Sequence, residues 1–134
     1  MLIFPKKTKF TKNHNTKKQN KIIMDKYYFG NYAIIAKESG YITNIQIESS
    51  RKVLRKLFKK QAKILRKIFT NKTLTKKPQS LRMGKGKGNN KYWYYFLKKG
   101  EIIFELNGLN LNKKIKKLSL KKISLKTLIL QNNQ

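Results

Sequence analysis

The stretch Arg82-Met83-Gly84-Lys85-Gly86-Lys87-Gly88-Asn89-Asn90-Lys91-Tyr92-Trp93-Tyr94-Tyr95-Phe96-Leu97-Lys98-Lys99-Gly100-Glu101-Ile102-Ile103-Phe104-Glu105-Leu106 sets the architecture. Three glycines alternating with lysines run into an aromatic block, a turn and a second apolar block. The two blocks predict strands over 92–97 and 101–106, joined as a hairpin through Lys98-Lys99-Gly100 with Gly100 in the left-handed conformation. Alternation along the return strand points Ile102, Phe104 and Leu106 into a core and Glu101 and Glu105 outward. The aromatic block resembles a base-stacking platform, but a tyrosine-rich hairpin more often supplies core.

The glycine-lysine loop ahead of the strand has the chemistry of a phosphate contact. Glycine lets a backbone approach a bulky partner, and each intervening lysine brings a positive charge. Its spacing fits neither a P-loop, a dinucleotide turn nor a Gly-x-x-Gly clamp, because Gly84, Gly86 and Gly88 are two apart. On turn chemistry alone, a solubilising surface loop is an equal reading.

Upstream, Thr70–Ser80 reads as a loop, since Lys76-Lys77-Pro78 discourages regular structure, and Gln61–Phe69 alternates like a strand with one semi-polar face. Before that, Thr43-Asn44-Ile45-Gln46 is a capping box that opens a helix over 44–60. Ile47, Val53, Leu54, Leu57 and Phe58 form its apolar stripe. Its other side carries two cationic ridges, Arg51, Arg55, Lys59 and Lys52, Lys56, Lys60. Like charges at that spacing cost an isolated helix about 0.2–0.5 kcal/mol per pair, offset only by Glu48 against Lys52. A solvated face would normally mix signs, so this ridge is expected to lie against RNA phosphate.

Residues 27–37 are aromatic and β-branched with a turn at Gly30-Asn31. They predict two short strands continuing through Tyr41-Ile42, with Tyr27, Tyr28 and Phe29 packing in preference to stacking on bases. Residues 5–21 are basic without period and read as an extended arm that folds on nucleic acid. Downstream, 113–122 can form a short helix burying Ile115 and Leu118, 125–130 is a last strand, and 131–134 a loose end. Strands mixed with segregated helices, without internal repeat, give an α+β fold: an arm over 1–26, a single domain over 27–130 and a tail over 131–134.

Composition narrows the function. The chain has 134 residues, 34 Lys+Arg against five acids, and a formal net charge of +29. Self-repulsion of that size opposes compaction unless a polyanion neutralises it, and about 6–10 phosphate contacts are worth roughly 10³–10⁵ in affinity between 50 and 200 mM salt. Without cysteine there is no disulfide or thiolate metal site, and no apolar run approaches the ~20 residues of a membrane span. His14 has no carboxylate or second histidine near it in sequence, so a catalytic or metal role does not fit; stacking, a phosphate contact or plain exposure does. Serines, one histidine and five separated acids make no triad or carboxylate pair, so no enzyme, cofactor, metal or small-molecule substrate is expected. Lysine, Asn, Ile, Tyr and Phe are abundant, as in an AT-rich genome such as an organelle's. The four arginines, Arg51, Arg55, Arg66 and Arg82, are therefore the more informative cations.

These residues resemble a known family. Pro5-Lys6-Lys7-Thr8-Lys9-Phe10 with His14, Phe29-Gly30, Thr43 with Gln46-Ile47-Glu48, Lys77-Pro78, Arg82 through Gly88, Tyr92-Trp93, Phe104-Glu105-Leu106 and Gly108 are similar to the bacterial-type large-ribosomal-subunit protein numbered sixteen, over nearly the whole chain. The resemblance implies an α/β-hammerhead-like α+β domain that is a structural constituent of the large subunit, near the aminoacyl-tRNA region below the central protuberance. Its implied partners are large-subunit rRNA, the tRNA acceptor region and neighbouring ribosomal proteins. It further implies that the loop Arg82, Met83, Gly84, Lys85, Gly86, Lys87 and Gly88 points towards the peptidyl-transferase centre and tRNA ends, where the chemistry belongs to RNA. Candidate rRNA contacts are Lys6, Lys7, Lys9, Lys12, His14, Arg51, Lys52, Arg55, Lys59 and Arg66. Residues 16–26 and the carboxy-terminal segment depart from the family pattern. The match starts near Met1, so no cleaved transit segment is expected. With the AT bias this suggests synthesis inside an organelle; the drift of the sequence from the family points to the mitochondrial ribosome, with a plastid or an AT-rich bacterium as alternatives. The rival function is a general basic protein that compacts DNA and RNA alike.

Overall fold

Thr43 fixes where the single helix of the described residues begins. Its Oγ accepts a hydrogen bond from the Gln46 amide at 3.3 Å, and the Gln46 side-chain carbonyl accepts one from the Thr43 amide at 3.0 Å. Two otherwise orphaned donors are thereby satisfied, as the capping box requires. The computed structural model describes residues 3–14, 29–58, 62–84, 86–108, 123 and 125–131. Helix α1 spans Asn44–Phe58 and buries Ile47, Ser50, Leu54 and Phe58; each of the three apolar side chains contributes about 1.5–3 kcal/mol of transfer free energy. The expected last turn, with Lys59 and Lys60, lies outside the described residues, as do Tyr27, Tyr28 and the segment 113–122 read as a second helix.

Among the described residues seven strands form two antiparallel sheets: β1 (Tyr32–Ala36), β2 (Gly40–Thr43), β3 (Lys63–Arg66), β4 (Lys72–Lys76), β5 (Asn89–Leu97), β6 (Ile102–Asn107) and β7 (Thr127–Gln131). One sheet runs β3-β6-β1-β7 and the other β2-β5-β4. The result is a mixed α+β single domain.

The expected hairpin between 92–97 and 101–106 does not form. β5 pairs with β2 and β4, and β6 with β1 and β3. The Lys98–Gly100 turn is instead a corner at which the chain leaves one sheet for the other. Gly100 has the expected left-handed φ of 87°; its amide donates to the Ala36 carbonyl at 2.8 Å, and the Ala36 amide donates to the Glu101 carbonyl at 3.0 Å. Glu101 closes the corner by accepting from the Lys98 amide at 2.9 Å and the Tyr95 hydroxyl at 2.5 Å. β1 and β2 turn the same corner in the opposite direction. One register therefore runs from Ile35 opposite Ile102 to Gly40 opposite Leu97, making a single bent two-stranded ribbon through both sheets.

Being central, β6 is buried on both faces, and that overturns a second expectation. Glu105, read as facing out, is 0% exposed. Its carboxylate accepts from the Phe29 amide at 3.1 Å and pairs with the Lys67 ammonium at 3.2 Å, the compensation a buried charge requires. A third correction is β4, which lies inside the segment read as loop. Lys72-Thr73-Leu74-Thr75-Lys76 alternates with period two, and Thr73 is buried. The strand read over 61–69 is confined to Lys63–Arg66. The main core joins the helix stripe to Tyr32, Ile34, Ile42, Leu97, Ile103 and Phe104.

Candidate nucleic-acid interface

The arm has neither helix nor strand over its described residues 3–14, and it is docked on the domain. The Ile3 carbonyl accepts from the Thr70 hydroxyl at 2.6 Å and the Thr70 amide at 3.2 Å, while the Phe4 ring stacks on Trp93 at 5.7 Å. Further along, the Thr11 carbonyl accepts from the Thr73 hydroxyl at 3.1 Å and from the Asn90 side-chain amide, using both lone pairs. Thr70, just ahead of β4, and Thr73 within it thus give an otherwise unstructured segment its place. Over this segment the arm read as extended is held by contacts with the domain itself.

The arm ends against the glycine loop. The Lys12 ammonium donates to the Lys87 carbonyl at 2.8 Å, and the Lys87 ammonium donates to the Asn13 carbonyl. The Lys77 ammonium donates to the Gly84 carbonyl from the other side. Lys6, Lys7, Lys9, Lys12 and His14 are exposed, as are Arg82, Met83, Gly84, Gly86 and Lys87; Lys85 lies outside the described residues. The glycines do two kinds of work, Gly84 and Gly86 having positive φ in open space and Gly88 packing closely. Gly86 has φ of 81° with open space where a Cβ would stand, whereas a Cβ on Gly88 would lie 2.7 Å from the Lys76 backbone. Gly86 lets the loop turn, and Gly88 lets its base pack on β4. Between Glu48 and Glu101 the chain has no acidic residue, and none occurs before Asp25. Arm residues 3–14, the loop and β4 consequently carry no carboxylate, and the one that meets β5 is Glu101, on the Tyr95 hydroxyl at the far end of that strand.

A second cationic group forms where α1 meets β3. Glu48 pairs with Arg51, at 2.6 and 2.9 Å, and not with Lys52 as the spacing suggested. That hydrogen bond holds the Glu48 carboxyl below its ordinary range and raises the Arg51 guanidinium. Arg66 is half-buried on β3, and desolvation pulls its guanidinium down, with Glu48 opposing and Arg51 adding repulsion. The helix arginine and the strand arginine therefore share one neighbourhood. Lys52 and Arg55 are exposed; Lys59 lies outside the described residues.

The sequence reading missed Thr70, Thr73, Lys77 and Asn90, which hold arm and loop in place. The alternating threonines of β4 were the available signal. Among the described residues no three His, Asp or Glu side chains gather into a metal-binding group, and no helix is long and apolar enough to cross a membrane.

Over residues 5–130 the chain matches the family described as ribosomal protein L16p/L10e. It is 42% identical over 134 residues to the large ribosomal subunit protein uL16c of Euglena longa, covering 98% of this chain and 100% of that one. It is 40% identical over 109 residues to uL16 of Blochmanniella pennsylvanica, covering 81% of each, and 39% identical over 129 residues to uL16 of Buchnera aphidicola, covering 95% of each.

Proposed function

The chain belongs to the ribosomal protein L16p/L10e family, a structural and non-enzymatic component of the large ribosomal subunit, and from that premise we propose that its docked arm and glycine loop form one rRNA-binding surface with the loop tip aimed at tRNA acceptor ends. The observation that carries this reading is the mutual grip of Lys12 and Lys87 inside a region without carboxylates. A free backbone loop would lose conformational entropy on meeting RNA; one held by the arm has already lost most of it.

Within the proposal, Lys6, Lys7, Lys9, His14, Arg82 and Lys87 face rRNA or tRNA, and Lys52, Arg55 and Arg66 contact rRNA from the helix side. Arg51, committed to Glu48, contributes less than its neighbours. Lys12, Lys59, Lys85, Met83, Gly84, Gly86 and Gly88 keep the places the family resemblance implies. The α/β-hammerhead-like description of the fold and the division into arm, domain and tail belong to the same reading.

The chain works on the ribosome, and its relatives are bacterial and plastid. Full-length similarity to uL16c of Euglena longa supports a plastid ribosome over the mitochondrial one that sequence drift suggested, while equally full coverage of bacterial uL16 keeps a bacterial ribosome beside it. The test is a sucrose-gradient profile from the native source: the protein is expected in large-subunit fractions and retained there at moderate salt. Recovery only in light fractions, with equal affinity for DNA and RNA, identifies a general nucleic-acid compactor instead.

A further inference from the structure

We propose that the cleft where β4 ends and β5 begins is a seat for one unpaired RNA nucleotide, its base edge met by the amides of Gln79 and Asn89 and its phosphate by Lys76 and Lys91. The inference rests on the ribosomal reading above and adds a base-reading site to a surface otherwise built for phosphate.

The cleft has a volume of about 430 Å³ and is lined by Lys76, Lys77, Pro78, Gln79, Asn89, Asn90 and Lys91, within the ~300–1,000 Å³ range of small-ligand sites. Its chemistry differs from that of the arm and the helix ridge. Ammonium groups satisfy phosphate and carry no sequence information, whereas a carboxamide offers a donor and an acceptor side by side, as a base edge does. This one hollow brings together three carboxamides, and Pro78 adds an apolar ring against which a base face can lie. No carboxylate lines it, so nothing repels a phosphate.

The seat is also preorganised. Asn89 and Asn90 are in register with Lys76 and Thr75, and Gly88 packs directly on the Lys76 and Lys77 backbone. The Asn90 amide is oriented by its bond to the Thr11 carbonyl, and the Lys77 ammonium is held by the Gly84 carbonyl. Those two side chains are engaged, leaving Gln79 and Asn89 for the base and Lys76 for the phosphate, with the Lys91 ammonium, over the Tyr92 ring at 5.2 Å, beside it. A second hollow of about 340 Å³, lined by Lys77, Ser80, Leu81, Arg82, Met83 and Gly84, shares Lys77 with the first and continues towards the loop tip. A strand leaving the seat has a basic path onward.

The experiment is chemical probing of large subunits carrying either the native chain or the double variant Gln79→Ala, Asn89→Ala. One nucleotide protected from base-modifying reagents in native subunits is expected to become at least about fivefold more reactive in the variant, the lower bound set by one lost bidentate contact. Hydroxyl-radical cleavage of its backbone stays unchanged. No altered nucleotide, or a change confined to backbone cleavage, overturns the proposal while leaving ribosomal membership intact. Should the variant not assemble, ultraviolet cross-linking of native ribosomes decides. A cross-link from 76–79 or 89–91 to a single nucleotide supports the seat; cross-links from these residues only to a protein, or none at all, overturn it.

Discussion

The Lys12 ammonium and the Lys87 carbonyl are 2.8 Å apart although 75 residues separate them in sequence. Since Lys87 reaches back to Asn13, each segment fixes the other. Loosening the arm should therefore loosen the loop. Replacing Thr73 with Val and Asn90 with Ala removes both donors to Thr11; at about 1 kcal/mol per bond, amide hydrogen exchange in residues 3–14 should accelerate at least about fivefold. Exchange in 82–88 should rise with it, while β1 and β6 stay protected. An arm that frees itself without changing the loop would show that the two are independent.

The Glu105 and Lys67 pair should respond asymmetrically to truncation. Lys67→Ala leaves a wholly buried carboxylate without its ammonium and should cost about 3–5 kcal/mol. Glu105→Gln leaves Lys67 able to turn to solvent and keeps an acceptor for the Phe29 amide, so about 1–2 kcal/mol is expected. Urea unfolding at neutral pH measures both, and the order of the two variants matters more than either value.

The glycines separate folding from function. Gly88→Val places side-chain atoms against the Lys76 backbone and should lower Tm by several degrees, corresponding to about 2–3 kcal/mol of overpacking. Gly86→Val meets open space and carries only the left-handed penalty of about 1–2 kcal/mol, within an exposed loop. Its Tm should fall less than that of Gly88→Val, while tRNA accommodation or late subunit assembly suffers more. Equal losses of Tm and assembly at both positions would remove the distinction.

Charge reversal on α1 should reflect the Glu48 pairing. Arg55→Glu should lower the slope of log affinity against log salt by about 0.9 for each phosphate that is no longer neutralised. Arg51→Glu, whose parent side chain is already paired, should lower it less. Titrating rRNA binding at several salt concentrations gives both slopes.

The same pair gives a small pH effect. The folded-state pKa of Glu48 is depressed by the Arg51 hydrogen bond, so its contribution is complete above the ordinary carboxylate pKa and is lost as pH falls through the folded value. At the exposed edge of a helix this amounts to about 0.3–0.5 kcal/mol. Acid unfolding curves for the native chain and for Glu48→Gln should therefore be fully separated above the ordinary carboxylate pKa and converge as pH falls through the lower folded-state value.

Local signals in the sequence were legible where the chemistry was local. Thr43 and Gln46 cap the helix from three residues apart, and Gly100 takes its φ from the turn alone. Pairing was less legible, because period-two alternation reveals a strand but not its neighbours. The strands on either side of Gly100 look like a hairpin in one dimension and belong to different sheets in three. Glu105 was misread for the same reason: alternation assumes one wet face, and β6 is central with none. The arm carried no periodic signal, since it docks by main-chain carbonyls that any residue supplies. Its receptors, Thr70 and Thr73, lay in a segment whose lysines and Pro78 disguised a strand.

The bent ribbon has a consequence in time. The hydrogen-bonded strand partners of β1 lie between Gly100 and Gln131, and β2 waits for Tyr94–Leu97. During synthesis the helix and its flanking strands emerge well before anything that can cover them, and long-range pairing of this kind is slow. The nascent chain is thus an open polycation until its last third appears. The arm must wait for Thr70, Thr73 and Trp93 before it can dock, so the first residues made are among the last to find their place.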